Sequence, residues 1–255
     1  MDAPVLAFGL FTIMLAERTR RLQFAQLPVL RPYVATDLVY LGSSAIPLAL
    51  WLRQVGVELN ASFGSLVPEM ASLSAPVTLL SAIVLYDLGG YFSHWLLHRS
   101  AVLWRFHKVH HSSRTLDWLA TFRGHIFEHA LRHLVSTVAL VVIGLPVWSV
   151  AAAAVVYTLA AALGHSNLNV DLRFIEKIFI TPRLHRLHHA VGTSDRNLGT
   201  IFSIWDRLRG LLADDPGLEV EPLGVPSEVD TYPQSWLPQL LEPLRSRSAL
   251  PRPGG

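Results

Sequence analysis

Eight of the chain's twelve histidines fall into three tight clusters: His94 and His98, then His107, His110 and His111, then His185, His188 and His189. Residues three or four apart on a helix share a face, so each cluster can aim its imidazoles at one point. An H-x-x-H-H spacing occurs twice, within residues 104–112 and 181–189, and satisfied core histidines do not account for such a repeat. Imidazole suits zinc, copper, iron and nickel, and eight ring nitrogens exceed what one tetrahedral or octahedral ion accepts with a position left open. Two metal ions are the economical expectation, and the fold must bring all three clusters to one place.

The sequence around the clusters restricts how that can happen. The chain is 51% hydrophobic, with apolar stretches at residues 4–16, 38–57, 71 to about 93, and 134–163, the last interrupted by Gly144, Leu145 and Pro146. The second and third are long enough to span a bilayer. The first is short, about 20 Å of helix; Asp2 precedes it and Arg18, Arg20 and Arg21 follow, the order of a membrane anchor rather than a signal peptide. The expectation is an all-α integral membrane helical bundle with a cytoplasmic histidine-rich metal-binding cap.

Lys and Arg gather after the first stretch (Arg18, Arg20, Arg21, Arg31), around the second histidine cluster (Arg99, Arg105, Lys108, Arg114, Arg123) and around the third (Arg173, Lys177, Arg183, Arg186), whereas residues 58–69 have none. The positive-inside rule places the basic regions on the cytoplasmic face and the N-terminus outside. For the clusters to meet, residues 134–163 must begin and end on the same face. They should form a hairpin turning at Gly144 and Pro146, with arms of roughly 15 to 25 Å that penetrate without fully crossing. The chain divides into N-terminal membrane helices (1–70), a catalytic domain containing the hairpin (71–210), and a Pro-rich tail (211–255) whose residues 236–244 pack back as an amphipathic segment and whose residues 251–255 are disordered.

Composition excludes several chemistries. With no cysteine, disulfides, thiolate zinc sites and iron–sulfur clusters are absent. No G-x-G-x-x-G or P-loop pattern marks a flavin, nicotinamide or nucleotide site. Reducing equivalents must then come from a partner. The net charge of +2, with its cations beside apolar segments, favours a membrane surface over nucleic acid.

Of the other histidines, His165 and His125 are candidate further ligands, while His129 and His133 suit a polar interfacial helix face. His125 to His129 fits the H-x-x-E-H pattern of inverted zinc peptidases, but that chemistry would leave the clustered imidazoles idle. No acidic residue lies three positions before any histidine, so the ligands are all or mostly neutral imidazole. The ions' charge is then balanced by carboxylates that orient imidazole N–H groups, the candidates being Asp87, Asp117, Glu128, Asp195 and Asp206.

The histidine boxes, with Arg-x-His at 123–125, His-Ser-Asn at 165–167, Thr-Pro-Arg-Leu-His-Arg-Leu-His-His at 181–189, Asp-Arg-Asn-Leu-Gly at 195–199 and Trp-Asp-Arg-Leu at 205–208, resemble the fatty acid hydroxylase and sterol desaturase superfamily over roughly residues 75–210. The family usually has Asn-Tyr-Gly where this chain has Asn197-Leu198-Gly199, and Phe-Gly-Thr where it has Arg209-Gly210-Leu211. The resemblance implies a membrane-embedded non-haem di-iron oxygenase. It would use O2 and electrons from a cytochrome- or ferredoxin-type donor to hydroxylate or desaturate a sterol, fatty acyl chain or carotenoid. Iron follows from the resemblance alone, with zinc as a substitute in purified protein. The implied metal ligands are the eight clustered histidines with His165 and His125. A zinc-dependent membrane hydrolase and a non-catalytic haem- or metal-binding electron-transfer protein are the alternatives.

Overall fold

The computed structural model describes residues 2–63, 66–214 and 222–245. Among them the secondary structure is helical, with isolated β-bridges but no sheet. Helix α1 covers Asp2–Glu17. α2 (Val34–Tyr40) runs through a π-helical turn, Leu41–Ala45, into α3 (Ile46–Phe63). There follow α4 (Ala75–Arg99), α5 (Ala101–His111), α6 (Ile126–Ile143), α7 (Val147–His165), α8 (Pro182–His189), α9 (Ile204–Leu208) and α10 (Trp236–Arg245).

Among the described residues three helices, α4, α6 and α7, are long and apolar enough to cross a membrane. The stretch at 38–57, expected to span, is not one of them. It is divided between α2, the π-helical turn and α3, and Arg53 and Gln54 dilute its apolar character.

The break in residues 134–163 falls at the expected turn. Gly144 closes α6 with φ +114°, a left-handed conformation that suits glycine, and Pro146 precedes α7. The arms are longer than hydropathy suggested, about 27 and 28 Å at 1.5 Å per residue. α6 begins eight residues before Leu134 because its first two turns carry Glu128, His129, Arg132 and His133, which face polar partners inside the protein.

α6 and α7 each pack along α4 far more extensively than on each other. The adjacent glycines in the middle of α4 make both approaches possible. A Cβ on Gly89 would lie 2.8 Å from the Ser136 Oγ of α6, and one on Gly90 would lie 2.6 Å from the Tyr157 hydroxyl of α7. α4 ends in His94 and His98, α6 starts beside Glu128, and α7 ends in His165. All three helices therefore bring their polar ends to one side of the bundle.

On that side a buried set of four charges fastens the N-terminal arm to the segment between α5 and α6. Arg31 donates to Asp37 and, through Nε and Nη2, to both oxygens of Asp117 at 2.6 Å, while Arg123 donates to the other oxygen of Asp37. All four side chains are buried. Arg31 and Arg123, counted above as topology-setting cations, are thus internal partners, and Lys108 is likewise buried against Glu228. α10 closes this layer, with buried Gln239 donating to the Ser112 Oγ at 2.8 Å. The disorder expected of residues 251–255 lies outside the described residues.

Candidate metal centre

Nine histidines come together in two buried groups. One comprises His94, His98, His107, His111 and His188, the other His110, His165, His185 and His189, and within each group one ring nitrogen per residue lies within 4.8 Å of the others. The two H-x-x-H-H motifs are used in opposite senses. In α5 the residues four apart, His107 and His111, enter the group of five and His110 the other. In α8 the pair four apart, His185 and His189, enters the group of four and His188 the other. A four-residue step keeps a side chain on one helix face, while the intervening histidine points elsewhere. Each short helix thereby serves both groups.

α8 is set by its cap. The Thr181 hydroxyl accepts the Leu184 N–H at 3.3 Å, and Pro182 occupies the first turn, where it forgoes no helical hydrogen bond. His165 joins the group of four from the last residue of α7, its Nε2 lying 3.1 Å from those of both His110 and His185. His125 belongs to neither group. Its Nδ1 accepts the Phe127 N–H at 3.1 Å and caps α6. His129 and His133 are turned inward rather than lining an interfacial face, toward the Phe122 carbonyl and the Tyr86 hydroxyl. The H-x-x-E-H pattern is dispersed accordingly: His125 caps, His129 meets a carbonyl, and Glu128 lies 2.9 Å from the His107 Nδ1.

The hydrogen bonds fix the tautomers. The Nδ1 atoms of His94, His110, His165 and His188 lie 2.7–2.9 Å from the carbonyl oxygens of Leu198, Arg123, Ala161 and Arg196. A carbonyl only accepts, so each Nδ1 must donate, and a neutral ring then carries its lone pair on Nε2. Burial holds the His110, His111, His185, His188 and His189 imidazoles well below their usual pKa, reinforced by neighbouring imidazoles. His110 and His165 consequently face each other through bare nitrogens at 3.1 Å, and His94 and His107 meet Nε2 to Nε2 at 3.0 Å. The His188 Nε2 and both ring nitrogens of His111 and His189 are buried without a hydrogen-bond partner. Two lone pairs in contact repel unless a cation lies between them, so this donor set fits a metal ion in each group.

Of the five carboxylates considered, Glu128 alone, among the described residues, meets an imidazole ring. Asp206 acts one step out: it accepts the N–H groups of Leu198 and Gly199 at 2.9 and 2.8 Å, fixing the carbonyl that orients His94. Burial raises its pKa to about 6. Asp87 holds the same loop from α4, accepting from Ile201, Phe202 and the Trp205 indole, and Asp117 serves the charge quartet. Asp195 bonds to neither histidine group. Replacing Asp206 by alanine leaves two buried N–H groups unpaired. We expect a loss of about 2 kcal/mol in stability and roughly 10- to 100-fold weaker metal binding, read by unfolding in detergent and by metal titration.

The carbonyls of Ala161, Arg123, Arg196 and Leu198 escaped sequence analysis because every residue has one, and only the fold selects which are used. Leu198 itself is buried, so the departure from the family's Asn-Tyr-Gly alters a packing side chain and leaves the carbonyl in place.

Three helices of membrane-crossing length beneath a buried, two-part, all-histidine centre define a class of helical metalloprotein. Residues 79–210 match the fatty acid hydroxylase family model, just over half of the chain, and the chain belongs to that family. It is 27% identical over 211 residues to the ornithine lipid hydroxylase OlsE of Rhizobium tropici, covering 75% of this chain and 63% of that protein. It is 32% identical over 133 residues to the alkylglycerol monooxygenase of Danio rerio, covering 51% and 29%. It is 28% identical over 207 residues to the fatty acid hydroxylase vlmA of Lecanicillium, covering 71% and 55%. The chain thus spans between 29% and 63% of the length of these relatives. No solved structure matches it.

Proposed function

We propose that the chain is a membrane-bound oxidoreductase that hydroxylates an apolar lipid with O2 at a centre of two iron ions, with electrons supplied by an external cytochrome- or ferredoxin-type protein. The observation that carries this is the pair of buried histidine groups whose bare nitrogens converge. The group of five would hold one ion and the group of four the other. Bound iron supplies the oxidation of an unactivated C–H bond, with one oxygen atom entering the lipid and the other leaving as water.

The chain's own residues set the conditions. Imidazole ligands are neutral, so the ions keep their full positive charge, which Glu128 offsets on one side through His107. Burial of all nine rings excludes bulk water. The lack of a nucleotide fingerprint supports an external donor. The hydroxylase and monooxygenase relatives support oxygen insertion over the hydrolase alternative, and the basic segments of the sequence support a cytoplasmic placement of the histidines.

The test is a set of lipids, among them ornithine lipids, alkylglycerols and fatty acyl lipids, incubated with the iron-loaded protein, a reductant and isotopically labelled O2. We expect one labelled oxygen in the product and no turnover without O2. A product formed anaerobically, with oxygen from water, would instead establish hydrolysis.

A further inference from the structure

Large apolar side chains stand exposed on one flank of the histidine layer, outside the three long helices. Phe174 and Leu208 are 79% and 76% exposed, and Ile178 and Phe179 are exposed beside them. Their place is fixed by polar ties to α4. Asp87, seven residues before His94 and so about 10 Å further along the helix axis, accepts the Ile201 and Phe202 N–H groups at 2.9 and 3.1 Å and the Trp205 indole at 2.8 Å. α9 is therefore docked along α4, starting near the level of Asp87 and ending near that of Trp95, next to His94. The segment 173–179 is tied to α9: Phe179 pairs with Phe202, and the Ser203 hydroxyl donates to the Glu176 carbonyl at 2.7 Å. The Arg209 guanidinium covers the Trp95 ring of α4 at 4.3 Å.

Within residues 173–179 and 204–209 the exposed charges are cationic, Arg173 among them being paired with the exposed Asp171 just before the segment. Lys177, Arg207 and Arg209 are exposed, whereas Glu176 is buried against Thr181 and Arg183, and Asp206 is buried on backbone N–H groups. A surface that alternates exposed aromatic and aliphatic side chains with cations, alongside a helix of spanning length, has the composition of an interfacial membrane segment.

We infer that the flank formed by residues 173–179 and 204–209 lies in the headgroup region of the bilayer beside α4 and binds anionic phospholipid through Lys177 and Arg207. The histidine groups then sit at the membrane surface rather than standing above it in water. This rests on the membrane placement proposed above but not on the reaction.

The chain has no cysteine, so single probes are unambiguous. Phe174→Cys and Leu208→Cys, each carrying a nitroxide, are reconstituted in phosphatidylcholine vesicles with and without phosphatidylglycerol, and collision with O2 is compared with collision with a water-soluble nickel chelate. Asp230→Cys marks the aqueous limit and Leu80→Cys, on α4, the lipid limit. We expect a several-fold preference for O2 at Phe174 and Leu208, intermediate between the limits. That preference should grow with phosphatidylglycerol, and the growth should be lost in the Lys177→Gln, Arg207→Gln background. Nickel accessibility equal to that at Asp230, or exclusion of both reagents by a protein neighbour, overturns immersion. A preference unchanged by phosphatidylglycerol overturns the anionic recognition. If the Leu80 probe itself meets nickel, the membrane placement fails first, so the two failures are distinguishable.

Discussion

His107→Ala should lose one of two bound metal ions per chain and at least about 1000-fold in turnover, more than the 10- to 100-fold typical of removing an orienting partner. His107 presents Nε2 to His94 at 3.0 Å and is the ring that meets Glu128. Its loss removes a donor from the group of five and leaves the buried Glu128 carboxylate with Arg132 alone, at 3.6 Å. His189→Ala should remove the other ion, since His189 belongs to the group of four, and the double variant should bind neither. The control is His125→Ala. That change removes a helix cap and costs about 0.5–2 kcal/mol of stability, with both ions retained. Elemental analysis of detergent-purified variants, beside the labelled-oxygen assay, reads all four.

A second large effect is expected far from any ring. Asp37 lies between the guanidinium groups of Arg31 and Arg123 and is fully buried with them. Asp37→Ala leaves Arg123 without its carboxylate and Arg31 with Asp117 alone. Removing one partner of a buried ion pair costs about 3–5 kcal/mol because the remaining charge stays desolvated. The damage should reach the metal centre, since the Arg123 carbonyl orients His110. Denaturant unfolding should show the loss, and metal titration a selective weakening of one site. An unfolding midpoint within experimental error of the parent would refute the role given to the quartet.

What the sequence revealed and what it hid follow from the range of the interactions. The histidine clusters were legible because a three- or four-residue spacing acts within one helix. The hairpin turn was legible because Gly144 and Pro146 punctuate it locally. The start of α6 was not: Glu128, Arg132 and His133 lower its hydropathy, and their partners come from distant segments. Arg31 looked like a topology signal because its partner Asp117 is 86 residues away. His125 and His165 looked alike in sequence, one histidine beside a glycine in each case, and only packing separates a helix cap from a member of the group of four. The division of each H-x-x-H-H motif between two groups likewise depends on how α5 and α8 face each other.

The most direct test of the account is the number of metal ions bound per chain in protein purified after iron loading under reducing conditions. The account predicts two, because the nine histidines divide into two groups, each with nitrogens converging within 4.8 Å. One ion per chain, retained in both His107→Ala and His189→Ala, would contradict it.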